Sequence, residues 1–216
     1  ILPPRVAPTQ VVIIPITPKP EHEEPVFEAC QKLATKISAQ SFDGEKIDIE
    51  IDKRDLGGGV KTWEWIKKGV PVRIEIGPRD LENGSVALFR RDLGPKDKHF
   101  LPTEDAISSI VDILQSIQDT LLKRAIAFRK EHTTEINNID DFRKFFTPKN
   151  TEQPEIHGGF VLAHWAGGVE EEELLGKELK VTIRCIPNDP DLRGKPGICF
   201  YTGKQAEGRV IFAKSY

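Results

Sequence analysis

The sequence predicts an α/β fold, a mixed, mostly parallel sheet flanked by helices, with a small α+β domain at the C-terminal end. Three observations carry this expectation. Apolar residues at two-residue spacing alternate along the chain with apolar residues at three- and four-residue spacing, so strands and helices interleave. Their order over residues 9–131 reads β-α-β-α-β-β-α, and strand–helix–strand repetition implies parallel strands joined by crossover helices. The composition, 38% hydrophobic and 30% charged over 216 residues, is that of a globular chain of one or two domains.

Each element has its own signal. Val11, Val12, Ile13 and Ile14 form a β-branched run closed by Pro15, as in a strand covered on both faces. A helix follows over about residues 25–40, with Pro25 suited to its first turn and Phe27, Cys30, Leu33, Ala34 and Ile37 on one stripe. Asp43-Gly44 is a turn, and residues 46–51 alternate strictly as a half-buried strand. Gly57, Gly58 and Gly59 open a second helix, at about residues 60–68, that Gly69 ends. Residues 70–77 are a strand with Val72, Ile74 and Ile76 on one face and Arg73 and Glu75 on the other. Gly77-Pro78 and Asn83-Gly84 are turn signals, and residues 85–91 are a fourth strand. A long helix starts at Thr103, its expected N-cap, and runs to about residue 132.

A short helix over residues 139–146 and a polar, Pro-containing stretch at 147–154 read as a connector. The expected divisions are therefore 1–135, 136–154 and 155–216. The tail reads as a strand (160–165), a helix (170–179), a strand (180–186), a turn-rich loop (187–196) and a hairpin pairing 198–202 with 209–214. About sixty residues make a thin core, so this unit needs a neighbour or a staple.

Net charge is −3, which excludes an indiscriminate basic coat for nucleic acid. Residues 61–98 nevertheless hold nine Lys/Arg against six Asp/Glu, a local excess of three positive charges. Cys30, Cys185 and Cys199 cannot close a disulfide framework, and a reducing cytoplasm fits them best. No run approaches the roughly 18 apolar residues of a membrane span, and the first residues lack a signal-peptide pattern. Methionine is absent even at position 1, so the chain reads as a piece of a longer protein.

Most chemical motifs are missing. There is no G-x-S-x-G elbow, so His157-Gly158-Gly159 has no nucleophile to serve. Residues 57–62 fail the phosphate-loop spacing. His22, His99, His132 and His164 are scattered, and the acidic run from Glu170 to Glu173 suits a helix start. One cluster stands out. Arg73, Glu75, Arg79 and Asp80 lie along and just past a strand, with Arg90 and Arg91 at the end of the next. Ligands of open α/β sheets bind beyond the carboxyl ends of strands. Carboxylates repel phosphate, but arginine beside carboxylate complements guanine, whose edge carries acceptors and donors, and single-stranded RNA loops expose that edge. From the charges alone, surface ion pairs explain the cluster as well. A doubly wound nucleotide or small-molecule domain is an alternative, as is a dimerisation module. Pro15 to Pro20, standing where a Gly-rich phosphate turn belongs, argues against the former.

Residues 2–16, the block 69–80 and Arg90-Arg91-Asp92 resemble the anticodon-binding domain of class II aminoacyl-tRNA synthetases, the prolyl enzymes in particular. Arg184-Cys185-Ile186-Pro187 and residues 209–216, ending in Tyr216, resemble the C-terminal domain of the archaeal/eukaryotic-type prolyl-tRNA synthetase. The resemblance covers nearly the whole chain. It implies recognition of the tRNA(Pro) anticodon, whose last two bases are guanines because proline codons begin CC. It assigns guanine readout to Arg73, Glu75, Arg79 and Asp80, and backbone phosphates to Arg90, Arg91 and Lys61. The family's catalytic motifs have no counterpart here, so ATP, magnesium and proline activation are expected in a separate catalytic domain, which this chain contacts in a homodimeric, cytoplasmic ligase. The piece alone is expected to be inactive.

The same family often holds zinc in its C-terminal domain through four cysteines. Aligned to that pattern, the ligand positions are Ala166, Glu171, Cys199 and Thr202. Structural zinc requires four sulfur or nitrogen donors, so zinc is expected to be absent. Packing of Trp165, Phe200, Tyr201 and Phe212 is expected in its place.

Overall fold

The computed structural model describes residues 1–94, 97–148, 150, 152 and 158–215. The expectations for Lys96, His157 and Tyr216, and for much of the 147–154 stretch, lie outside these residues. The chain forms two compact units, Ile1–Arg124 and Ala125–Tyr216.

In the first unit, β1 (Val11–Pro15) leads to α1 (Glu23–Ser38), then to a small hairpin of β2 (Ser41–Phe42) and β3 (Glu45–Lys46). Asp43 and Gly44 turn this hairpin with φ of 55° and 87°, the doubly positive geometry that two-residue hairpins favour. Next come β4 (Ile49–Ile51), α2 (Gly58–Lys68), β5 (Val72–Ile76), α3 (Pro78–Glu82), β6 (Ser85–Arg90), β7 (Lys98–Pro102) and α4 (Thr103–Glu131). The main sheet has the order β4-β1-β5-β6-β7. β1 is parallel to β4 and β5, whereas β6 is antiparallel to both β5 and β7. Four of its strands thus run one way and β6 alone runs against them, a mixed, mostly parallel sheet.

The period-2 pattern decides the two faces. Val11, Ile13, Val72, Ile74, Ile76, Val86 and Leu88 pack on α1 and α4 through Leu33, Ile37, Ile110 and Leu114. On the opposite face Val12 and Ile14 pack beneath Trp65 of α2 and Val70. α2 ends at Gly69, whose φ of 81° suits a left-handed cap.

Several local expectations need correction. The strand expected at 46–51 is broken, because the side chain of Gln10 accepts the Asp48 N–H at 2.8 Å and Ile47 turns into the core. Residues after Gly77 form α3 instead of a simple turn. The Thr103 hydroxyl does not cap its helix but donates to the Gly84 carbonyl at 3.1 Å. β7 has no counterpart in the sequence reading.

The second unit contains β8 (Thr133–Glu135), α5 (Ile139–Phe146), β9 (Phe160–His164), α6 (Val169–Leu179), β10 (Val181–Cys185), α7 (Pro190–Arg193), β11 (Gly197–Ile198), β12 (Gln205–Ala206) and β13 (Arg209–Lys214). Its sheet has the order β10-β13-β9-β8. α5 is no mere connector: Phe142 and Phe146 are fully buried and pack in the core with Phe200 and Phe212. The expected hairpin of 198–202 with 209–214 does not form. β11 pairs with β12, and the backbone turns back at once, with the Gly203 N–H bonding the Cys199 carbonyl at 3.0 Å. β13 instead lies between β10 and β9. No described helix is long and apolar enough to cross a membrane.

Candidate nucleic-acid interface

The pleat of β5 directs Arg73 and Glu75 to the face opposite α1 and α4. Arg73 Nε lies 3.2 Å from Glu75 Oε1, and Lys98 Nζ lies 3.9 Å from Glu75 Oε2. The Arg73 guanidinium also covers the Phe89 ring at 3.9 Å. Burial lowers the pKa of Arg73; the Glu75 charge opposes this and the Arg91 charge adds to it. Among the described residues the Nε atoms of Arg73 and Arg91 are buried and have no partner in hydrogen-bond geometry, the Arg73–Glu75 approach being an ion pair.

Beyond the end of β5, Gly77 starts α3 and donates its N–H to Asp80 Oδ2 at 2.8 Å. This bond fixes Asp80 at the mouth of a cavity of about 460 Å³ lined by Glu75, Arg79, Asp80, Lys98 and His22, with Ile16, Pro18, Gly77 and Pro78 as its less polar wall. Arg79 is exposed and its side chain is free to reach out. The Nδ1 of His22, another lining residue, is buried without a hydrogen-bond partner among the described residues. The cavity sits at the carboxyl ends of β1 and β5, where open α/β sheets take ligands. It offers acceptors (Glu75, Asp80) beside donors (Arg79, Lys98).

Two residues expected with this group lie elsewhere. Arg90 points to the α4 face, where Nε and Nη2 donate to the Asp92 carboxylate at 3.1 and 2.8 Å and Nη2 reaches the Ser116 hydroxyl at 3.0 Å. Lys61 is only 6% exposed, with Nζ donating to the Asp52 carbonyl at 3.2 Å. It lines a different cavity, of about 590 Å³, near the start of α2. Nearby, the buried Asp52 carboxylate receives Arg54 and the Trp65 indole N–H. The Arg54 hydrogen bonds hold its pKa well below the usual carboxylate range, against the effect of burial. Lys98 and His22 escaped sequence reasoning because one belongs to the unforeseen β7 and the other to a single 3-10 turn, Pro20–His22, before α1. A cation followed by two aromatic residues, Lys98-His99-Phe100, was the available signal.

In the second unit, Thr202 N–H donates to Cys199 Sγ at 3.4 Å. Burial raises the Cys199 thiol, but hydrogen bonds from Thr202, Ala166 and Tyr201 outweigh it and leave the pKa below its ordinary value. Glu171 accepts the Gly168 N–H at 2.8 Å. The aligned zinc positions therefore supply one sulfur already engaged by N–H donors and a carboxylate used as a helix cap. This set does not fit a structural zinc. Trp165 packs against Phe200, Tyr201 and Phe212 at ring separations of 5.5–6.0 Å.

The mixed, mostly parallel sheet with its flanking helices makes the first unit an α/β domain, and residues 10–115 match the family described as anticodon binding domain. Residues 152–216 match the C-terminal domain of prolyl-tRNA synthetase. A proline-tRNA ligase of Akkermansia muciniphila is 48% identical over 216 residues, covering all of this chain and 42% of that protein. Proline-tRNA ligase 2 of Anaeromyxobacter dehalogenans is 46% identical and the ligase of Protochlamydia amoebophila 47%, with the same coverage. The chain belongs to the prolyl-tRNA synthetase family, as the C-terminal part that comprises the anticodon-binding domain and the C-terminal domain. It spans about two-fifths of the length of these relatives, 42%. These relatives are bacterial, so the narrower archaeal/eukaryotic-type assignment gains no support from them.

Proposed function

We propose that this chain reads the anticodon loop of tRNA(Pro) for a proline-tRNA ligase. The observation that carries the reading is the cavity shared by Glu75, Arg79, Asp80 and Lys98 at the strand ends of an anticodon-binding domain. Glu75 and Asp80 accept from a guanine's N–H groups. Arg79 donates to its O6 and N7, and Arg73 holds Glu75 in place. Arg91 supplies charge toward the backbone phosphates. Arg90 and Lys61 act within the fold, through Asp92 and Asp52. ATP, magnesium, proline ligation and the homodimer belong to the remainder of the ligase, whose catalytic domain is this chain's partner. The C-terminal domain holds together without zinc, on its aromatic packing.

The test is binding of the chain to a tRNA(Pro) anticodon stem-loop and to stem-loops with either guanine replaced. Each replacement is expected to weaken binding roughly 5- to 150-fold, the worth of a lost bidentate base contact. Equal affinity for all three stem-loops overturns the reading.

A further inference from the structure

The register of β5, β6 and β7 aligns two cross-strand rows on the face away from α1 and α4. One row is Arg73, Phe89 and Lys98; the other is Glu75, Ala87 and Phe100. Both rows open to solvent at β7: side-chain exposure goes from 11% at Arg73 to 41% at Lys98, and in the second row Phe100 is 64% exposed beside a buried Ala87. A phenylalanine so open to water at a sheet edge forgoes most of the stabilisation its ring gains on burial. Lys98 Nζ stands 4.8 Å from the Phe100 ring centroid and 5.4 Å from that of Phe89. Rings interleaved with cations suit unpaired nucleotides, whose bases stack on the ring while their phosphates meet the cation. An apolar partner would leave Lys98 and Arg73 desolvated, so the charge favours an anionic strand.

We propose that Phe100, flanked by Lys98, is a stacking platform for an unpaired base of the bound RNA loop. The proposal rests on the anticodon reading and adds to it residues that no base edge identifies. Lys98 belongs to both the platform and the wall of the Glu75 cavity. A base on Phe100 and its neighbour in the cavity would therefore follow each other along one strand. Stacking on a ring face tolerates any base, so the platform supplies affinity and the cavity supplies discrimination.

The test compares the 216-residue chain with its Phe100→Ala and Phe100→Trp variants. Two RNAs are used: the tRNA(Pro) anticodon stem-loop, and the same stem-loop with abasic anticodon nucleotides. Because Phe100 is exposed, both variants should retain the wild-type melting temperature. Phe100→Ala is expected to weaken binding of the intact loop roughly 5- to 150-fold, leave the abasic loop unaffected, and lose equally when an anticodon guanine is replaced; Phe100→Trp should restore affinity. Unchanged affinity of Phe100→Ala for the intact loop overturns the platform while guanine readout stands. An equal loss on the abasic loop also overturns it, because no base is there to stack. A wild-type chain that binds both RNAs alike removes the anticodon reading and the platform together.

Discussion

Replacing Arg90 by alanine separates a role in the fold from a role in RNA binding. The Asp92 side chain is fully buried, 0% exposed, and its two oxygens face the Arg90 guanidinium at 3.1 and 2.8 Å. Removing one member of a buried pair strands the other and costs about 3–5 kcal/mol. Arg90 itself retains 19% exposure, which places the expected loss near the lower end, about 3 kcal/mol. For a unit of this size that lowers the melting temperature by roughly 10 °C. Adding Asp92→Asn removes the stranded charge and should return part of the loss. The salt dependence of RNA binding should not change. Were Arg90 on a phosphate, the slope of log affinity against log salt would shrink by about 0.7. An unaltered melting temperature with a shallower salt slope would refute the structural role given to Arg90.

Asp52 makes a pH prediction. Its folded pKa is lowered, so the stability it adds is present above its unfolded value, near 3.9, and is lost as pH falls below that value toward the folded one. Asp52→Ala should cost about 1–3 kcal/mol at neutral pH by orphaning the Trp65 indole N–H, and should flatten the acid limb of a stability–pH curve. In the second unit, Phe142→Ala removes a fully buried ring 4.4 Å from Phe200 and 5.1 Å from Phe212; urea unfolding should register a loss of about 3–5 kcal/mol. Metal analysis of the purified chain should find no stoichiometric zinc, and chelator treatment should leave its melting temperature unchanged; a bound equivalent would refute the aligned positions at Ala166, Glu171, Cys199 and Thr202.

Periodicity made α1 and most of α4 readable, because in each the buried stripe repeats at the helical period, and β1 was legible as an unbroken β-branched run buried on both faces. Periodicity also placed Arg73 and Glu75 correctly on one face of β5. β7 was unreadable: Lys98–Pro102 shows no apolar alternation, and the strand exists through its bonds to β6. With β7 unseen, Lys98 and Phe100 could not join the site. The tail hairpin failed for a related reason. Sequence spacing favours a local partner, whereas β13 pairs with β10 and β9, segments far away along the chain. Arg90 and Lys61 were misplaced because a charge in a sequence carries no record of its partner. Asp92 lies two residues from Arg90, yet only the turn after β6 brings its carboxylate under the guanidinium.

The single reversed strand, β6, has a consequence for how this domain can diverge. Crossover links around β4, β1 and β5 each demand a helix, and that helix roofs part of the sheet. The short links before and after β6 demand no such covering, so Lys98 and Phe100 stand on bare ground. Exchanges there alter what the surface grips without disturbing Ile13, Ile74 or Leu114. A lineage could retune this half toward a different loop while the roofed half keeps the molecule folded.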